Sequence, residues 1–111
     1  MSDTGLPPRE AGDSRLKVML HAPCAESLAR ARRNARNLKA ASPEAEVLII
    51  TNAGGAAAAV ATPDDTDVWL RLCRNSLDAQ GIVDTRGLAI VEAAVLTLAE
   101  GQRQGWAYIR A

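Results

Sequence analysis

Val68-Trp69-Leu70-Arg71-Leu72-Cys73-Arg74-Asn75-Ser76-Leu77 can be a strand or a helix, and the architecture depends on which. An apolar run ends on a cysteine, and polar residues follow at once. As a strand, Val68, Leu70 and Leu72 face one side and Trp69, Arg71 and Cys73 the other. Cys73 then stands at the carboxyl end, where open α/β sheets place their ligands. As a helix, the run is capped by Asp65 or Thr66, and Val68, Leu72 and Cys73 share a face. Its own periodicity does not choose. The segments on either side do.

Upstream, Glu46 to Thr51 (EVLIIT) is a β-branched run between breakers, which predicts a strand. The nearly unbroken apolar character of Val47 to Ile50 suits a parallel strand covered on both faces. Asn52-Ala53-Gly54-Gly55 follows, then an alanine-rich helix to about Ala61. Two glycines at a strand-to-helix junction suit a tight turn or a backbone cradle for an anion. With neither G-x-G-x-x-G nor a Walker lysine, they do not spell a nucleotide site. Downstream, Asn75 to Gln80 reads as a short helix or turn ended by Gly81, and Asp84 to Gly87 as a loop. Leu88 to Val91 is a predicted strand. Glu92 to about Arg103 is a predicted helix with Ala93, Leu96 and Ala99 on one face. Gly105 closes it, and Trp106 to Ile109 is a last strand.

At the amino-terminal end, Leu16 to His21 is a predicted first strand. Pro23 and Cys24 open a helix whose Leu28, Ala31, Ala35 and Leu38 form the buried face. Ser42-Pro43 breaks it. Strands and helices alternate throughout, so Val68 to Cys73 joins the series as a strand. The expectation is a single three-layer α/β/α domain over residues 15–111, with a mainly parallel sheet of about five strands. A polar stretch at 1–14 is expected to be a disordered tail.

Apolar residues make up 48% of the 111, enough for one core, but phenylalanine is absent and alanine abundant. Helices should therefore approach the sheet closely. The formal net charge is zero, which argues against a dedicated nucleic-acid binder. The basic residues Arg30, Arg32, Arg33, Arg36 and Lys39 read as a solvated helix face. No apolar run approaches the ~20 residues that span a bilayer, and the amino terminus lacks a secretory pattern. Two cysteines without such a signal point to a reduced, cytoplasmic setting. One histidine, His21, and two distant cysteines do not make a metal site, and no cofactor motif is visible. Trp69, Trp106 and Tyr108 are the aromatics, and such residues are enriched in subunit contacts.

Three stretches stand in a telling order. They are Arg33-Asn34-Ala35-Arg36-Asn37-Leu38 with Pro43-Glu44-Ala45-Glu46-Val47, then Leu72-Cys73-Arg74-Asn75-Ser76-Leu77 with Gly81-Ile82, then Gly105-Trp106-Ala107-Tyr108-Ile109-Arg110. Together they resemble the DsrE/DsrF-like family of small α/β proteins. In that family a strand ends in Cys-x-Asn-Ser/Thr-Leu, and the carboxy-terminal segment reads Gly-Tyr-Ala-Tyr-Ile-Lys. The resemblance covers roughly Leu16 to Ala111. It implies a three-layer fold with Val68 to Cys73 as the central strand, and a homo-oligomer. It also implies that Cys73 matches the position where sulfur-relay members carry a persulfide. The expected function is then a sulfur carrier that receives a sulfane sulfur from a donor protein and passes it to an acceptor. The chain departs from the family at Glu92-Ala93-Ala94, where a Pro-Ser-Gly-like turn is common. A carboxylate there disfavours a nearby thiolate. The alternative is a non-catalytic oligomeric or regulatory subunit that uses Cys73 only for packing.

A carrier needs an accessible thiolate. Arg71 shares the strand face of Cys73 and Arg74 lies beside it, so both are expected to favour ionisation. Asn75 and Ser76 could donate hydrogen bonds to the sulfur, or simply cap the next helical turn. Cys24, at the start of the first helix, is a possible second thiol. If strands 1 and 3 are neighbours, their axes lie ~4.8 Å apart. Cys24 could then resolve a persulfide or sulfenate on Cys73 as a disulfide.

Overall fold

The computed structural model describes residues 5–6 and 14–111. Five strands, β1 (Lys17–Ala22), β2 (Glu46–Thr51), β3 (Leu70–Cys73), β4 (Ile90–Val91) and β5 (Ala107–Arg110), form one parallel sheet in the order β4-β3-β2-β1-β5. Four helices connect them: α1 (Ala25–Ala41), α2 (Ala53–Ala61), α3 (Arg74–Ala79) and α4 (Ala94–Arg103). The expected α/β architecture is present. Most of the expected tail lies outside the described residues. Of its described part, Leu6 packs on the apolar cluster around Met19, and the Gly5 carbonyl accepts from Arg71 Nε at 3.2 Å.

Chirality explains the layering. β1 to β4 advance in one direction, so right-handed crossovers put α1, α2 and α3 on one face. The return from β4 to β5 passes three strands the other way and puts α4 on the opposite face. The apolar clusters divide accordingly. On one side Val18, Leu20, Val47, Ile49, Leu70 and Leu72 meet Leu28, Ala31, Ala35, Ala56, Ala59 and Leu77. On the other side Met19, Leu48, Ile50 and Cys73 meet Ala94 and Trp106. β2 lies at the centre and its Val47 to Ile50 are buried, as its unbroken apolar run requires. Small residues do bring the layers close. A Cβ on Gly55 of α2 would collide with the Ala22 carbonyl oxygen, and one on Gly101 of α4 with the Met19 thioether.

The decisive stretch is a strand only from Leu70. Val68 and Trp69 belong to a 3-10 helix over Asp65–Trp69. The acidic sequence before it supplies the reason. Asp64 Oδ2 accepts from the Thr66 N–H at 3.1 Å and from the Thr66 hydroxyl at 2.6 Å, while the Asp64 N–H donates to Asp67 Oδ2 at 3.2 Å. This reciprocal cap holds a helical turn where apolar content alone suggests extension. Val68 is consequently 74% exposed. The alternation of faces holds from Leu70 onward, with Leu70 and Leu72 opposed to Arg71 and Cys73.

Other boundaries also shift. β4 has two residues rather than four, because Arg86 and Gly87 take positive φ in a turn that ends with the Leu88 N–H on the Thr85 carbonyl. α4 begins at Ala94, and its buried stripe is Ala94, Thr97 and Gly101 rather than Ala93, Leu96 and Ala99. Gly101 fixes that phase by seating on Met19. Trp106 precedes β5 and is buried inside the domain, its backbone N–H bonded to the Gly101 carbonyl at 2.8 Å.

Candidate functional site

Cys73 is both the last residue of β3 and the residue that caps α3. The neighbouring strands β3 and β4 send their helices to opposite faces of the sheet. Such a divergence opens the crevice in which α/β sheets bind ligands. Cys73 Sγ lies buried at this divergence and accepts the backbone N–H of Ala94, the first residue of α4, at 3.3 Å.

Cys73 is only 5% exposed. Burial is the strongest single influence on the thiol and pushes its pKa up. The N–H of Ala94, the N–H and hydroxyl of Ser76 and the N–H of Asn75 together outweigh it, and the pKa lies below the usual 9.0. The thiolate is thus favoured by main-chain dipoles at the starts of two helices.

Ser76 does more than face the sulfur. Its oxygen accepts the Ala53 N–H at 2.9 Å, and Gln80 Nε2 donates to the Ala53 carbonyl at 2.9 Å. These bonds hold Ala53, the first residue of α2, at φ 46°, a left-handed conformation unusual for alanine. A strained backbone beside a crevice is the kind of feature that sites retain. Gly54 and Gly55 serve close packing here, since they lie against Pro23, Cys24 and Ala22.

The arginines are placed differently from expectation. Arg71 Nε and Nη1 donate to the carbonyls of Gly5 and Leu70, and Arg74 pairs with Asp78 at 3.8 Å on the surface. Backbone amides take the role that their charges were expected to fill. Glu92 is exposed and lies before the first turn of α4, so the Ala94 N–H rather than a carboxylate meets Cys73.

Cys24 is exposed and precedes the first turn of α1. Its Sγ lies 3.3 Å from the Ser27 hydroxyl, which donates to the Ala111 carbonyl at 2.8 Å. Ser27 is also the main reason the Cys24 pKa is lowered. That hydroxyl has one proton, so it serves either the carbonyl or the thiolate. The condition that strands 1 and 3 be neighbours is not met: β2 lies between them. Two strand spacings are roughly 9.6 Å, beyond the ~6.8 Å Cα separation that a disulfide tolerates. The ground for Cys24 as a resolving thiol is therefore removed.

One polar group was missed in the sequence. His21 Nδ1 lies 2.7 Å from the Tyr108 hydroxyl, and His21 Nε2 lies 3.0 Å from Asn52 Oδ1. The amide oxygen can only accept, so Nε2 donates to it, and the tyrosine hydroxyl pairs with Nδ1. Part of the signal was available: His21 and Asn52 stand at the carboxyl ends of the predicted first and second strands, which a parallel sheet gathers on one edge, whereas Tyr108 is the second residue of β5 and reaches His21 from two positions earlier in the register. Among the described residues no three His, Cys, Asp or Glu side chains converge as metal ligands. Among them, too, no helix is long and apolar enough to cross a membrane. A cleft lined by Leu6, Lys39, Glu46, Trp69, Arg71 and Trp106 opens near the amino ends of β2 and β3 and does not include Cys73.

This arrangement has a precedent in shape. The chain is similar to a solved protein of unknown function, MTH1491 from Methanobacterium thermoautotrophicum, with TM-score 0.69 and 20% identity over 89% of this chain and 100% of that one. At that identity the likeness speaks for the fold. No family model matches the sequence, and no curated protein matches it.

Proposed function

We propose that this protein is a DsrE/DsrF-like, sulfur-relay-type carrier that holds a sulfane sulfur on Cys73. The observation that carries the reading is the Ala94 N–H directed at Cys73 Sγ in the crevice between β3 and β4. A thiolate favoured there is a nucleophile without need of a basic side chain. It attacks the outer sulfur of a donor persulfide. The donor S–S bond breaks, its thiolate leaves with the electron pair, and a Cys73 persulfide forms with no net oxidation. An acceptor thiolate then attacks the outer sulfur and Cys73 leaves as thiolate. Asn75 and Ser76 hold the charge between the two transfers. The setting is a reduced cytoplasm. The assembly is a homo-oligomer, with the part-exposed Trp69 and Tyr108 available for subunit contact.

Mass spectrometry of the protein from its own cell tests the carrier reading. One added sulfur on Cys73, removed by a reducing thiol, is the expected result. An unmodified thiol, both as purified and after exposure to a persulfide donor, refutes it.

One observation favours a second reading. A cysteine 5% exposed packs like a small apolar side chain. A non-catalytic oligomeric subunit would keep Cys73 for that purpose alone. Alkylation separates the two: the carrier reacts while folded near neutral pH, and the packing thiol reacts only on unfolding.

A further inference from the structure

Cys73 stands where two helices diverge, yet it is buried. Two residues from far away in sequence lie beside it. Arg71 and Cys73 share the face of β3 that looks toward α4, and Val91 is the register partner of Cys73 on β4. Gly5 rests on this corner. Its carbonyl accepts from Arg71 Nε at 3.2 Å, and a Cβ built on it would come 2.6 Å from Val91 Cγ1 and 3.2 Å from Arg71 Cδ. Its φ of 69° is a left-handed value that β-branched residues avoid. Leu6 follows and packs on the apolar cluster that holds Met19, Leu48, Ile50, Cys73 and Ala94.

The same two residues form a wall. A cleft of about 820 Å³ is lined by Gly5, Leu6, Leu48, Trp69, Arg71 and Trp106, among others, and stops short of Cys73. Beyond Arg71, the next side chain on that face of β3 is Cys73 itself. We infer that Gly5–Leu6 is an autoinhibitory plug between the cleft and the thiol. Seated, it closes the side of Cys73 that faces the cleft. Displaced, it lets a reactant pass from the cleft to the sulfur. This rests on the carrier reading and adds its regulation: the thiol is kept from stray reactants until the plug moves. Neither residue belongs to a strand or helix, so moving them breaks no bond of the sheet.

Iodoacetamide reports the plug in the full-length protein. The Cys73 thiolate displaces iodide, and the alkylated Cys73 peptide is counted by mass over time. Two variants unseat the plug from different sides. Gly5→Val drives a branched side chain against Val91 at a left-handed φ, and Leu6→Asp sets a charge on the apolar cluster. Each is expected to speed Cys73 labelling about tenfold with the melting temperature nearly unchanged, because only a local opening is favoured. Wild type supplies a check that needs no variant. Its Cys73 labelling is expected to rise far less steeply with urea than global unfolding does, since plug release exposes little surface. Wild-type rates in both variants, or wild-type labelling as steep in urea as global unfolding, overturn the inference. Inorganic polysulfide judges the carrier reading separately: the thiolate attacks a terminal sulfur, the adjoining S–S bond breaks, and a shorter polysulfide leaves. Uptake on Cys73 at one rate in all three proteins removes the plug and keeps the carrier. No uptake in any of them removes both.

Discussion

Asp64→Asn measures what delivers β3 to the sheet. The carboxylate caps the 3-10 helix through Thr66 and accepts from Arg36 Nη2 at 2.7 Å, with Arg32 Nε at 3.9 Å. The Thr66 hydroxyl contributes most, and against partial burial the group is held at about 2 rather than 3.8. Nearly two units at 1.36 kcal/mol each is about 2 kcal/mol. The side chain is 26% exposed, so solvent screening reduces this toward roughly 1–2 kcal/mol. Asparagine keeps an acceptor for Thr66 and loses the charge. The pKa is depressed on folding, so this stability is complete above the unfolded value near 4 and is lost as pH falls through about 2. Urea unfolding of both proteins, followed by tryptophan fluorescence at several pH values, reads the difference. The gap should be 1–2 kcal/mol near neutral pH, by the same linkage of about 1.36 kcal/mol per unit, and should close in strong acid. A gap of the same size at every pH, or none near neutrality, refutes the reasoning.

Three further outcomes follow from the packing and from the sulfur's surroundings. Gly55→Ala drives a Cβ into the Ala22 carbonyl, backbone against backbone, and should cost about 3 kcal/mol or more, read as lost soluble yield or a collapsed melting temperature. Ser76→Ala removes one donor to Cys73 and releases the Ala53 N–H; the pH midpoint of Cys73 alkylation should rise, and an unchanged midpoint would place the stabilisation elsewhere. Oxidised wild type and Cys24→Ser should give the same number of intramolecular disulfides, namely none, since β2 separates the two cysteines, and a bridged peptide on digestion would contradict the strand order.

What the sequence revealed, and what it hid, divides by range. The alternation of runs gave the α/β class, and EVLIIT announced a strand covered on both faces. Val68 and Trp69 were misread because apolar content outweighed the D-D-T-D cap, whose effect is a local competition between side chain and backbone. The phase of α4 was wrong by one residue because Gly101, carrying no side chain, leaves no mark in a hydrophobic pattern yet decides which stripe fits on Met19. Cys73 was legible from its place at the end of a run, but its partners were not. Arg71 and Arg74 stood nearest in sequence, whereas the Ala94 N–H comes from 21 positions away along a path that only the crossover to the other face explains. His21, Asn52 and Tyr108 were overlooked because nothing short-range links them.

That Cys73 takes its bonds from main-chain amides frees the surrounding alphabet. Position 75, which is exposed, could be rewritten with almost any side chain and the amide would still point at the sulfur, whereas position 94, buried against the sheet, must also stay small. Proline is the exception, and at the first position of α4 it would otherwise be an agreeable residue. Lineages of this fold can therefore diverge in spelling while the chemistry stays put. Relatives are better sought by superposing the β3–α3 and β4–α4 junctions than by matching letters.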